Sequence, residues 1–136
     1  MSRTTVAIFA TFATWLIAAI AVSPVAAEQR LALEPYAGKL RQIRVDIAGA
    51  GRRFLFDTGG GHTLISPSVA AAIGCAPQGR VVGYRMSGEK FETPICPDVV
   101  FKIGEYQPDS ETVGVFDLMA FLPKELPPVD GTASAA

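Results

Sequence analysis

The sequence predicts a mostly β domain, a barrel or sandwich of short strands with one short helix, preceded by an N-terminal signal segment. Three observations carry that prediction. Ile43, Val45 and Ile47 alternate with Arg44 and Asp46, the period of a half-buried strand. Glycine and proline, 13 and 10 residues, punctuate the chain often enough to mark frequent turns. A nearly continuous apolar stretch over residues 6–22 stands apart from both patterns.

That stretch follows one positive charge, Arg3, and is broken by Pro24. Val25-Ala26-Ala27 then supplies small side chains suited to signal-peptidase cleavage before Glu28. Residues 1–27 are expected to be a signal peptide, 28–131 one small domain, and 132–136 a tail of small side chains. An uncleaved membrane anchor is the rival reading, because the run approaches the shortest length that spans a bilayer. With either outcome the domain is expected outside the cytoplasm, periplasmic or secreted. Without Arg3 there are 11 basic residues against 13 acidic ones, a net charge of −2. No basic block stands out, which argues against nucleic acid as a partner. Membrane association is expected only if the N-terminal segment is retained.

Within the domain, the alternating strand at residues 43–47 meets a turn, Ala48-Gly49-Ala50-Gly51, and residues 53–56 form the returning strand. Asp57 is thus placed where the chain leaves the sheet. Ser66 is a good helix N-cap, and Pro67 suits the first helical position. Val69, Ala72 and Ile73 share a face of this two-turn helix, which Gly74 stops. Residues 80–86 and 91–95 read as strands joined by Ser87-Gly88-Glu89-Lys90. A second pair, 99–103 and 112–116, is expected around the 104–110 connection. Pro94, Pro97 and Pro108 are expected at edges or strand ends, because proline cannot donate to a ladder. Residues 118–122 suggest a helical turn, and with Val99-Val100-Phe101 they read as core.

Cys75 and Cys96 fall in the part expected to be exported. Such a pair reads as a disulfide in an oxidising compartment, stabilising by about 3 kcal/mol on the chain-entropy model. Two buried free thiols are the alternative, since spacing alone does not establish geometry. No metal site or other cofactor is expected. His62 is the only histidine, and neither cysteine has a close-spaced companion.

The most informative segment is Phe54-Leu-Phe-Asp-Thr-Gly-Gly-Gly-His-Thr-Leu-Ile-Ser66. An apolar run delivers one carboxylate, Asp57, onto a glycine-rich turn, and Leu64-Ile65 follows at once. An acid there is costly to bury, so the turn's donors satisfy it or it is placed for chemistry. Asp57-Thr58-Gly59, flanked this way, resembles the active-site turn of retropepsin-like aspartic proteases, including bacterial aspartyl proteases of that superfamily. Their pattern is Asp-Thr/Ser-Gly, usually followed by Ala or Ser, with another Thr or Ser a few residues on. Gly60 takes the Ala/Ser place here, and Thr63 supplies the later hydroxyl.

The resemblance implies a retropepsin-like closed or half barrel with the acidic turn inside. It makes residues 80–95 a glycine-tipped flap, with Gly88 near the tip. It further implies peptide hydrolysis by water held between two carboxylates. Only one Asp-Thr-Gly occurs in the chain, so a homodimer is expected in which each copy contributes Asp57. Thr58 would buttress the paired loops, and Gly59 would let the backbone pass close to the carboxylates. The likeness covers roughly residues 43–131. Val129-Asp130-Gly131-Thr132 begins like the family's next element, then turns into Ala133-Ser134-Ala135-Ala136. The strand that threads behind the active-site turn is therefore expected to be absent. Either the domain is C-terminally incomplete or a partner chain completes the barrel, and both readings count against activity and leave apolar edges open to association.

Competing readings use the same residues. Asp57 can head a plain Asx turn whose carboxylate caps nearby amides. Asp57-Thr58-Gly59-Gly60 also looks like the first phosphate loop of actin-like ATPases and sugar kinases, but those folds need a far longer chain. There is no Gly-Lys-Ser/Thr, which excludes a P-loop. A triad of His62 with Ser66 or Ser68 lacks a nucleophile elbow, and Ser66 already has a capping role. The alternative from another class is a non-catalytic periplasmic β domain that binds peptide or protein through an open sheet edge.

Overall fold

The computed structural model describes residues 30–85 and 87–134. The expected signal peptide, residues 1–27, lies outside them. In chain order the elements are β1 (Glu34–Pro35), β2 (Arg41–Ile47), β3 (Ala50–Asp57), β4 (Leu64–Ile65), α1 (Pro67–Ala72), β5 (Gln78–Tyr84), β6 (Lys90–Val99), β7 (Phe101–Lys102), β8 (Glu111–Val115) and β9 (Gly131–Ser134). A 3-10 turn, Leu118–Ala120, lies between the last two strands. One sheet runs β1-β2-β3-β9-β4-β8-β6-β5, and β7 pairs with β2 off that path.

The mostly β architecture with one short helix is as expected, but the sheet is open, so a closed barrel does not form. β1 offers only two residues for pairing, and among the described residues β5 is bonded on one side alone, to β6.

The β2–β3 hairpin turns on two residues, Ala48 and Gly49, both at positive φ (51° and 76°). Such a turn matches the right-handed twist of the strands it joins. β3 accordingly begins at Ala50, three residues earlier than the sequence suggests. Ile43, Val45 and Ile47 point inward from β2, and Phe54 of β3 is 0% exposed. They join Ile65, Val69, Cys96, Phe101 and Val113 in one core.

Three local expectations are corrected. The strands at 99–103 and 112–116 do not form a hairpin: β7 pairs with β2, while β8 pairs with β6. Pro94 and Pro97 lie inside β6, an interior strand. The β5–β6 register shifts beside Pro94, with Gly79 at φ 55°, and the β6–β8 register shifts beyond Cys96, where Asp98 has φ 54°. These bulges spare the prolines a missing ladder bond. On α1 the buried residues are Val69 and Ala70, whereas Ala72 is exposed. Val69 and Ile73 of the predicted face do pack on the core, so the correction is confined to Ala72, whose place Ala70 takes.

The largest correction concerns the C-terminal residues. Positions 132–134, expected as tail, continue β9. That strand pairs parallel to β3, from Phe54–Gly131 to Asp57–Ser134, and antiparallel to β4. A strand behind the turn is therefore present. Gly131 makes this possible, since a Cβ there would lie 2.0 Å from the Leu64 carbonyl oxygen and 2.7 Å from the Phe54 ring.

Candidate active site

Asp57 is the last residue of β3 and is exposed. The buried pair Phe54-Leu55 anchors the strand in the core, so the carboxylate emerges at its mouth with a fixed origin. The turn folds back on it: Gly59 N–H donates to Asp57 Oδ1 at 2.9 Å. This is an Asx turn, the geometry short acids favour when they can bond their own backbone. A Cβ on Gly60 would sit 3.0 Å from Asp57 Oδ2 and 3.2 Å from its Cγ. Glycine at this position thus leaves the carboxylate the room that a methyl would contest.

Support comes from β9. The Ser134 hydroxyl donates to the Gly60 carbonyl, and its backbone N–H reaches Thr63 Oγ1 at 3.4 Å. Thr63 is buried, and its carbonyl accepts from Gly114 N–H at 3.0 Å. The loop between β3 and β4 is pinned at both ends. Asp130 works one residue earlier in the chain than β9. It accepts from Arg53 N–H at 3.0 Å through its carboxylate, and from Ser66 N–H at 2.7 Å through its carbonyl. Arg52 Nη1 adds an ion pair at 3.8 Å. No local sequence pattern points to Ser134 or Asp130, because both act through partners 64 or more positions away.

Asp57, Gly59, Gly60 and Thr63 are brought into one turn. Thr58 is exposed, and among the described residues its hydroxyl has no hydrogen-bond partner within the chain. His62 is exposed and lines a cleft of about 100 Å³ with Thr63, Tyr106, Glu111 and Ser134. Ser66 is occupied as the cap of α1, accepting from Val69 N–H at 3.3 Å and bonding Ser68 Oγ at 2.9 Å. No group of three metal-ligating side chains occurs among the described residues.

Gly88 lies in the tight turn of the β5–β6 hairpin at φ 83°, closed by Gly88 N–H to the Arg85 carbonyl at 2.8 Å and Arg85 N–H to the Glu89 carbonyl at 2.9 Å. The Arg85 guanidinium stands 4.6 Å above the centroid of Phe121. Phe121 stacks on Phe116 at 5.3 Å, and Phe116 meets Phe91 at 5.9 Å. Phe91 crosses the hairpin over Gly83, where a Cβ would fall 2.4 Å from its ring. The 118–122 run, expected as core, therefore caps the hairpin instead: Phe121 is 58% exposed and the 3-10 turn buries nothing. Val100 likewise faces outward at 49%. The backbone links this aromatic stack to the site, since Phe116 N–H donates to the Ile65 carbonyl at 2.9 Å.

Cys75 and Cys96 form a disulfide with Cα atoms 6.0 Å apart. It ties the end of α1 to β6, away from the Asp57 turn.

A family model described as aspartyl protease matches residues 43–131, from within β2 to the first residue of β9. Curated protein sequences yield no match.

Proposed function

This chain belongs to the aspartyl protease family, and on that premise we propose that it is an exported peptide hydrolase whose catalytic group is Asp57, used in pairs. The observation that carries the reading is the Asp57 turn itself: an exposed carboxylate at the end of a buried strand, oriented by Gly59 and spared crowding by Gly60. A single Asp-Thr-Gly per chain supports assembly of two copies about a two-fold axis, each presenting one acid. Thr58, exposed and without a hydrogen-bond partner among the described residues, is suited to bond across that axis.

Two carboxylates a few ångströms apart cannot both ionise, so the pair holds one proton. The ionised member takes a proton from a water between them, and that water attacks the scissile carbonyl. The protonated member donates to the carbonyl oxygen. The family offers peptides and proteins as the substrate class. The apolar segment at residues 6–22 and the Cys75–Cys96 bridge support a periplasmic or secreted setting.

The test is cleavage of a mixed peptide library across pH and protein concentration by wild type and Asp57→Asn. Expected are an acidic optimum, a rate rising faster than linearly with protein concentration, and complete loss in the variant with its fold kept. Cleavage that survives in Asp57→Asn overturns the assignment. The unpaired edge of β5, with Val82 and Tyr84 exposed, favours a second reading, peptide binding without hydrolysis by strand addition. Saturable binding of library peptides that neither wild type nor variant cleaves selects it.

A further inference from the structure

A cavity of about 560 Å³ lies beside the disulfide and includes no residue of the Asp57 turn. Cys75 is one of its walls, with Ile47, Ile73, Pro97, Asp98 and Val100. The two sulfurs of the bridge are thus unequal. Cys75 is half-buried and borders open space, whereas Cys96 is 0% exposed within the core and does not line the cavity. In thiol–disulfide exchange a thiolate attacks one sulfur and expels the other, so access decides which sulfur is attacked.

We propose that Cys75 is a modification site for small thiols, reached through this cavity. A thiolate RS⁻ forms a bond to Cys75 Sγ while the Sγ–Sγ bond breaks. The electron pair leaves on Cys96 Sγ, which then takes up a proton. The products are a mixed disulfide at Cys75 and a thiol at Cys96. A second thiolate attacking the R sulfur releases RSSR and leaves Cys75 reduced, so two thiols are oxidised for one bridge reduced. Apolar burial disfavours a Cys96 thiolate, which makes the first step slow and its product prone to re-close.

The cavity also selects by charge. Among the described residues Asp98 is its one charged wall, so a thiol with a neutral or cationic body is favoured over an anionic one. Asp98 sits at φ 54°, a conformation that asparagine shares readily, and Asp98→Asn therefore removes the charge without disturbing the bulge.

The experiment treats folded protein at low ionic strength with cysteamine or 2-mercaptoethanesulfonate, quenches with N-ethylmaleimide in denaturant, and maps the peptides by mass spectrometry. Expected is the thiol adduct on Cys75 and maleimide on Cys96, in more than about ten-fold excess over the reverse, as access dictates. Normalised to their rates on an unstructured peptide disulfide, cysteamine should react about five-fold faster than the sulfonate, a gap closing in Asp98→Asn. Val100→Trp, at an exposed wall, should slow both reagents several-fold with an unchanged circular dichroism spectrum. Adduct on Cys96 or split evenly, reduction only on unfolding, or rates indifferent to both substitutions would overturn the proposal. None of these outcomes depends on whether Asp57 is catalytic.

Discussion

Around Asp57 the molecule is held by backbone. β3 lies between β2 and β9, Phe54 is fully buried, and the turn's loop is bonded to β8 and to Ser134 of β9. The β5–β6 hairpin has its own backbone ladder, but toward its turn the side-chain contacts that hold it lie at the surface. Arg80 and Lys90 pair with Glu92 at 3.5 and 2.8 Å, Arg85 with Glu89 at 3.6 Å, and Arg85 rests on a Phe121 ring that is itself 58% exposed. Tyr84, at the hairpin's end, is 70% exposed. The floor of the site is thus rigid because its bonds are buried and backbone-borne. The end of the hairpin has side-chain contacts that are exposed and individually replaceable, the character of segments that open locally.

The contrast is broken most severely at Gly131. A Gly131→Ala side chain has only the space already filled by the Leu64 carbonyl and the Phe54 ring. Urea denaturation should show a loss of at least about 3 kcal/mol, with β9 displaced from between β3 and β4. A loss under about 1 kcal/mol would mean that β9 is not wedged there, and the floor would be no more rigid than the hairpin. Ser66→Ala tests the floor more gently. It removes the α1 cap but leaves the Ser66 backbone bond to Asp130, so about 1 kcal/mol is expected in the same assay.

Phe121→Ala addresses the hairpin. It deletes the cation–π contact and the outer ring of the stack, for about 0.5–1 kcal/mol of global stability. Its signature is local: amide exchange at Arg85 and Gly88 should quicken while that of Phe116, bonded to the Ile65 carbonyl, stays slow. Equal acceleration at both places would erase the distinction between the regions. The smallest effect is expected from Glu92→Gln. The Lys90 hydrogen bond, then the Lys90 and Arg80 charges, hold the Glu92 carboxyl below its ordinary 4.5. A carboxyl lowered on folding contributes stability above its unfolded value and loses it as pH falls through the folded one. The variant's urea midpoint should therefore lie slightly below wild type's near neutrality, and the two should converge as pH falls below about 4.5.

Much of this was readable locally. The alternation of Ile43, Val45 and Ile47, the Ser66-Pro67 helix start, the glycine turn at Gly88 and the Asp57-Thr58-Gly59 motif each depend on neighbours a few residues apart. Misreadings cluster where distant partners decide. Residues 99–103 resembled a hairpin strand, yet β2 captured Phe101–Lys102 and left β8 to β6. Pro94 resembled a strand end, yet a bulge with Gly79 accommodates it in the interior. Phe121 resembled core by composition and became the exposed seat of Arg85.

By itself the sequence determined which residues could do chemistry: one carboxylate on a glycine-rich turn and two cysteines. Only the tertiary structure decided what stands behind and above them. The small residues at 131–134 carry no strand signal of their own, and they form β9 because the gap between β3 and β4 admits a backbone with almost no side chain. Parallel pairing across so long a connection leaves no mark on local periodicity. Ser134 and Asp130 therefore join the Asp57 turn through the fold alone.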